Sequence, residues 1–335
     1  MNTEYNTEIN TLLKIINKRF AKPSFPLNFD HFGFEPMQTI QNTIRHLPWR
    51  GWLGLLLIAI FWYINWSLDG LRTHLGFFPL WLGYCLLVDA ITYLRKGNSL
   101  ISRSITGYFF LFVISAPAWW LFEIINERAQ YWHYTERAQF TDLEYFVLAS
   151  ISFSTVIPAV FGTSELVGTF KWVQRLRKGP RIGMSSASIY TLFVLGLLMF
   201  TTVLVFPKYS AAFIWISLYL MLDPLNKWLG HRTLVEHTAQ RDWREVIALW
   251  TGCLICGFFW EMWNIYSSPK WYYTVPYVDF WYVFEMPLLG YLGYLPFALE
   301  LFALYHLVTG VSGKSKWQNY LQLLPQSQEV SASGS

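Results

Sequence analysis

Apolar positions in this chain come in long unbroken runs, not in the alternation of half-buried strands or the narrow stripe of a soluble helix. Crossing the hydrocarbon core of a bilayer at about 1.5 Å per residue takes roughly 20 apolar residues. Eight stretches approach that length: 51–66, 75–94, 107–126, 145–169, 189–206, 211–229, 246–265 and 281–309. The last is long enough to tilt or break, and Pro287 and Pro296 offer two places to do so. Before the first run, Ile9, Leu12, Leu13, Ile16 and Phe20 share one helical face, with Lys14, Lys18 and Arg19 mostly off it. That pattern predicts an amphipathic helix on the inner membrane surface, and a second candidate runs from 37 to 47 through Ile40, Ile44 and Leu47. The fold class expected is an all-α polytopic membrane protein of about eight transmembrane helices.

Composition narrows the class. Hydrophobic residues make up 54% of the 335 positions and charged residues 14%, well below the roughly 25% charged of a soluble domain. A net charge of +4 spread over so few ionic groups excludes a disordered chain, a nucleic-acid binder and an ordinary cytosolic enzyme; the lipid bilayer is the first partner implied. The 18 Trp and 20 Tyr suit interfacial belts. With eight spans, 20 of the 25 Lys and Arg fall on the side shared by the two termini, so both termini are expected in the cytoplasm, across the inner membrane if the cell is bacterial. Cys85, Cys253 and Cys256 all sit in apolar runs and read as small core hydrophobes.

The chain also resembles itself. "WWLFEIINERAQYWHYT" at 119–135 aligns with "FFWEMWNIYSSPKWYYT" at 258–274, which matches Glu123 to Glu261, Asn126 to Asn264, Trp132 to Trp271 and Tyr134 to Tyr273. Asp89 matches Asp223 and Pro158 matches Pro296, the offset staying between 134 and 139. These matches predict two parallel four-helix repeats, residues 51–180 and 181–312, with a ligand site expected at their interface. A cytoplasmic amphipathic segment, 1–50, would precede them. A tail, 313–335, rich in Ser and Gln and expected to be disordered, would follow.

Carboxylates inside a membrane are costly and face the bundle interior, paired or functional. Asp89 and Asp223 are expected to cap a neighbouring helix or to pair with Arg103 or Arg232. Glu123 and Glu261 each have Asn three residues on, so each copy presents one acid and one amide on a shared helix face. An aromatic cluster follows each. Either these groups bond helix to helix beneath an aromatic belt, or they form an outer-leaflet site with desolvated acids. Glu285 and Glu300 belong to the second copy alone; Glu285 stands where a helix start would also favour a carboxylate. The histidines lack metal-ligand spacing, and no phosphate-binding loop or nucleophile elbow is present.

The segment "KWYYTVPYVDFWYV" leading into "FEMPLLGYLGYLPFALEL", with the whole unit duplicated, resembles the membrane-embedded lycopene cyclases, which occur as small paired subunits in some bacteria and as one domain in fungi. In that family the motif is Pro-x-Glu-Glu. Here Glu285 precedes Pro287 by two residues, and Leu289 and Gly290 occupy the acid positions. The resemblance implies proton transfer without a cofactor on a hydrophobic, isoprenoid-like molecule. Glu285 would be the proton donor and Glu261 and Glu123 supporting acids. Trp260, Trp271, Tyr273 and Tyr282 would form the wall that stabilises a carbocation, and Trp132, Asn126 and Asn264 would join them in binding the substrate. Two other readings stand beside this one: a transporter or ligand-binding membrane protein using the repeat interface, and a structural subunit of a membrane complex.

Overall fold

The computed structural model describes residues 46–68, 73–183, 185–313 and 315–325. The amphipathic helix expected around 9–20, and all but the last two residues of the 37–47 candidate, lie outside them. The described chain is built on helices: α1 (Trp49–Ser67), α2 (Thr73–Lys96), a short α3 (Leu100–Arg103), α4 (Ile105–Ala129), α5 (Asp142–Phe153) and α6 (Val156–Gly168). After α7 (Lys171–Gln174) come α8 (Ser186–Val205), α9 (Phe213–Leu229), α10 (Val235–Ala239), α11 (Arg244–Asn264), α12 (Tyr294–Val311) and α13 (Ser315–Gln318).

Among the described residues, six helical stretches are long and apolar enough to cross a membrane: Leu75–Lys96, Ile105–Ala129, Asp142–Gly168, Ser186–Val205, Arg244–Asn264 and Leu288–Val311. The other two expected spans are helical but fall outside this set. α9 has 17 residues, about 25 Å of rise, and α1 carries Arg50, Asn65 and four Trp within its 19 residues.

The run 281–309 does not form one helix. Its first part is a hairpin of β3 (Tyr282–Val283) and β4 (Met286–Pro287), in which Tyr282 faces Pro287 and Val283 faces Met286. A 3-10 turn over Leu288–Gly293 follows, and α12 starts at Tyr294. The two prolines fit this arrangement in different ways. Pro287 has no N–H to give a helix through it, whereas Pro296 is the third residue of α12, where an N–H would have no intrahelical partner. Pro158 holds the same third position in α6.

Small residues set the helix crossings. A Cβ on Gly54 of α1 would lie 2.6 Å from the Gly83 carbonyl oxygen, and one on Gly83 of α2 would lie 2.8 Å from the Gly54 oxygen. The two backbones therefore touch directly, the close approach that small residues permit in lipid. Gly196 of α8 meets the Ser217 carbonyl of α9 in the same way, at 2.8 Å. Gly83→Val is expected to force α1 and α2 apart and to cost about 1–3 kcal/mol; a thermal-stability series on detergent-solubilised protein, read by size-exclusion fluorescence, checks this.

Asp89 and Asp223 do the same job in their settings. Asp89 accepts the Ile101 N–H at 2.9 Å, and Asp223 accepts the Leu234 and Val235 N–H groups at 3.0 Å each. Each thereby caps the start of the helix that follows its own. The cations expected beside them pair elsewhere, Arg103 with Glu165 and Arg232 with Glu245, while Asp89 pairs with Arg50 at 2.7 Å.

Residues 315–325, assigned to a disordered tail by their composition, are instead folded into the core. Trp317, Tyr320, Leu321 and Leu323 are buried. Three successive carbonyls of this segment each receive a cation: Tyr320 O from Arg103 at 3.0 Å, Leu321 O from Arg232 at 2.6 Å and Gln322 O from Lys96 at 2.8 Å. Gly168 leaves room for its passage, since a Cβ there would lie 1.7 Å from the Leu323 oxygen. Bulky apolar residues spaced among Ser and Gln carry this contact, and composition averages them away. Residues 326–335 lie outside the described residues.

Candidate functional site

The site begins at the end of α4. Gln130 takes a left-handed conformation (φ 58°) and stops the helix. Asn126, one turn earlier, then binds the emerging chain: its Oδ1 accepts the Tyr131 and Trp132 N–H groups at 2.8 and 3.3 Å, and its Nδ2 donates to the Trp132 carbonyl at 2.8 Å. This turn folds the next residues back over the helix as β1 (Trp132–Tyr134). The indole N–H of Trp132 and the hydroxyl of Tyr134 then reach Glu123 Oε1 at 3.1 and 2.6 Å, and Trp119, four residues before Glu123 on the same face, donates to that oxygen at 2.8 Å.

The second segment repeats the pattern. Asn264 at the end of α11 accepts the Trp271 N–H at 3.0 Å and donates to the Trp271 carbonyl at 2.7 Å, which sets β2 (Trp271–Tyr273). Glu261 Oε1 accepts from Trp271 at 3.4 Å, Tyr273 at 2.7 Å and Tyr294 at 2.8 Å. Glu261 is fully buried, and its Oε2 has no hydrogen-bond partner among the described residues. Burial first, and then the neighbouring carboxylates, push the Tyr134 and Tyr273 phenols well above their ordinary range, so both remain protonated donors at neutral pH.

β1 and β2 pair antiparallel: Trp132 faces Tyr273, His133 faces Tyr272 and Tyr134 faces Trp271. The bonds beyond the strands are reciprocal, Thr135 N to Lys270 O at 2.8 Å and Thr274 N to Tyr131 O at 2.9 Å. A local two-fold between His133 and Tyr272 thus exchanges the aligned positions of the two segments.

Between the two acid-anchored clusters lies a cavity of about 190 Å³. Trp119, Trp132, Tyr134 and Tyr145 line it from one segment, Trp260, Trp271, Tyr273 and Tyr294 from the other, and Trp215 and Phe297 bridge them. Trp132 stacks on Trp215 with centroids 5.8 Å apart, and Trp260 stacks on Tyr294 at 6.0 Å. The acids do not line the cavity; they hold its wall from behind.

The residues singled out from sequence therefore separate into three groups. Trp132, Trp260, Trp271 and Tyr273 reach the cavity. Glu123, Glu261, Asn126 and Asn264 position that wall. Glu285 and Tyr282 do neither: both sit on the β3–β4 hairpin, where Glu285 pairs with Lys270 and the Tyr282 hydroxyl bonds Asp279. Trp119, Trp215, Tyr294 and Phe297 were not foreseen. Trp119 could have been found, because it lies one helical turn before Glu123. Trp215 and Tyr294 reach the site only through tertiary folding, Tyr294 from 33 residues beyond Glu261.

Two further buried groups lie on α12. Neither carboxylate oxygen of Glu300 and neither ring nitrogen of His306 has a hydrogen-bond partner among the described residues. No group of three or more His, Cys, Asp or Glu side chains with metal-binding geometry occurs among the described residues.

Apolar helices of spanning length around a buried aromatic core make this chain an integral membrane protein in contact with the lipid bilayer. No family model, curated protein or solved structure matches it.

Proposed function

We propose that this protein binds a hydrophobic, isoprenoid-like molecule in the aromatic cavity, at the junction of two parallel four-helix repeats that together make eight spans with both termini in the cytoplasm. The observation that carries the reading is the wall itself: two acids on different helices each gather three Trp or Tyr donors, and the rings so fixed enclose one cavity. Prealigned aromatic rings around a mostly apolar space suit a lipid-like ligand. The matching Glu-Asn turns, the reciprocal strand pairing and the paired Asp89 and Asp223 caps support the duplication. The test is mass spectrometry of organic extracts from the purified protein. A hydrophobic compound is expected to be enriched over an unrelated membrane protein prepared alongside and to be depleted in Trp132→Leu. Equal recovery from all three would overturn the reading.

Acid catalysis on the same molecule, in the manner implied by the resemblance to lycopene cyclases, is a second reading. The Oε2 of buried Glu261, without a hydrogen-bond partner among the described residues, favours it, and it moves the proton donor from Glu285, held in an ion pair on the hairpin, to Glu261, whose Oε1 accepts from the cavity-lining Tyr273 and Tyr294. In lycopene-producing cells, the wild type is expected to yield a modified carotenoid that disappears with Glu261→Gln, while Glu285→Gln retains it. An unchanged pigment profile for the wild type would remove the carotenoid form of this reading.

A further inference from the structure

The chemistry of the wall narrows the ligand, on the footing of the binding reading above: we propose that the cavity holds the head of a soft organic cation that has no N–H to donate, such as a trimethylammonium group on a hydrophobic tail.

Three observations carry this. First, the polar edges of six wall rings are already used. The N–H groups of Trp119, Trp132 and Trp271 and the hydroxyls of Tyr134, Tyr273 and Tyr294 all point to Glu123 or Glu261. These six donors are committed to the protein and present ring faces, not polar edges, to the cavity. Donation to a carboxyl oxygen also moves electron density back into the ring, which strengthens the negative face that attracts cations. Second, neither Glu123 nor Glu261 has a Lys or Arg within ion-pair distance among the described residues, and every bond to their Oε1 atoms comes from an aromatic side chain. Any charge on them is left for a ligand to balance across the rings. Third, the wall already holds one cation on a ring: the Arg137 guanidinium carbon lies 4.2 Å from the Tyr145 ring centroid, and both residues line the cavity. Arg137 itself is balanced by Asp142 at 2.6 Å, so it does not fill the role of counter-ion to Glu123 and Glu261.

The choice of a quaternary head follows from the same lining. No carboxylate and no Asn or Gln side chain is among the lining residues. A primary ammonium would bring three N–H donors to a wall whose aliphatic hydroxyls are those of Thr135, Ser152 and Ser267, two of them already bonded to backbone groups, and each donor without an acceptor is costly. A trimethylammonium spreads its charge over methyl groups and asks for no hydrogen bond. Aromatic cages of this kind are a general solution for such ions.

The test compares choline with 3,3-dimethylbutan-1-ol, its uncharged carbon isostere. Both carry nine equivalent methyl protons, so saturation-transfer NMR with irradiation of the aromatic resonances reads them in the same way. The full chain is used in nanodiscs of phosphatidylethanolamine and phosphatidylglycerol, with empty discs subtracting attraction to the lipid surface. Choline is expected to bind at least tenfold more tightly than the isostere, and its signal is expected to fall in both Trp132→Leu and Tyr145→Leu, which alter the wall from different elements. Equal or tighter binding of the isostere, no choline signal, or a choline signal unaffected in both variants would overturn the proposal. The enrichment of a hydrophobic compound in extracts of the purified protein is read separately, so a neutral ligand would remove the cationic head and leave the binding reading standing.

Discussion

Glu165→Leu is expected to prevent most of the chain from accumulating in folded form. Glu165 is completely buried. It receives Lys96 on Oε2 at 2.7 Å, and Arg103 and the Gln322 N–H on Oε1. Leucine would fill a similar volume but leave Lys96 and the part-buried Arg103 without this counter-charge. Breaking a buried pair from one side costs about 3–5 kcal/mol, a large part of the stability of a marginally stable protein. It would also release the end of the 315–325 segment, which Lys96 and Arg103 hold by its carbonyls. The loss is read as disappearance of the monodisperse peak of a fluorescent fusion in size-exclusion chromatography. Adding Lys96→Met to Glu165→Leu is expected to recover part of that peak, because removing both members of a buried pair costs far less than removing one. A full-sized peak from Glu165→Leu alone would sink this account of the network.

Replacing Glu261 with leucine tests the cavity wall as severely. Trp271, Tyr273 and Tyr294 all donate to its Oε1. Leucine strands the three donors together, at about 1–3 kcal/mol for each one left unpaired in the interior. The rings are expected to rotate in search of other acceptors and to lose the arrangement that encloses the cavity. Glu261→Gln is milder, since the amide oxygen still accepts. The expected order of thermal stability in detergent is therefore wild type, then Glu261→Gln, then Glu261→Leu well below, with retention of hydrophobic ligand following the same order. If the leucine variant matched the glutamine variant in both measurements, the carboxyl oxygen would not be the anchor of the wall.

The chemical types of Glu165 and Glu261 are visible in the chain, and their partners are not. Glu123 and Glu261, each followed by Asn at the third position and then by Trp-x-Tyr, were legible as a matched pair, because i and i+3 share a helix face whatever surrounds the helix. Their task was not legible. Nothing in the spacing says that Trp132 and Tyr134 fold back onto Glu123, since this depends on a left-handed turn at Gln130 and on Asn126 binding the chain beyond it. Glu285 was the opposite case: its absence from the first segment suggested a catalytic or ligand acid, and its position before Met-Pro a carboxylate at a helix start. The chain forms a hairpin there, and Lys270 neutralises it.

The amino-acid sequence by itself determined the solvent and the class of fold. Runs of apolar residues near the thickness of a bilayer, with so little charge between them, leave helices in lipid as the structure that satisfies every backbone group. It also placed seven of the eight apolar runs on helices to within a few residues, because hydrophobic length is a local property of the chain; the last run, 281–309, instead forms a hairpin and a 3-10 turn before its helix begins at Tyr294. Tertiary structure alone decided three things. It joined the two Trp-x-Tyr segments into one strand pair, it recruited Trp215 and Tyr294 to the cavity, and it buried the 315–325 segment against Lys96, Arg103 and Arg232. Each is a contact between residues tens to hundreds of positions apart. Its energy depends on shape and hydrogen-bond direction at the meeting point, which no window of local sequence contains.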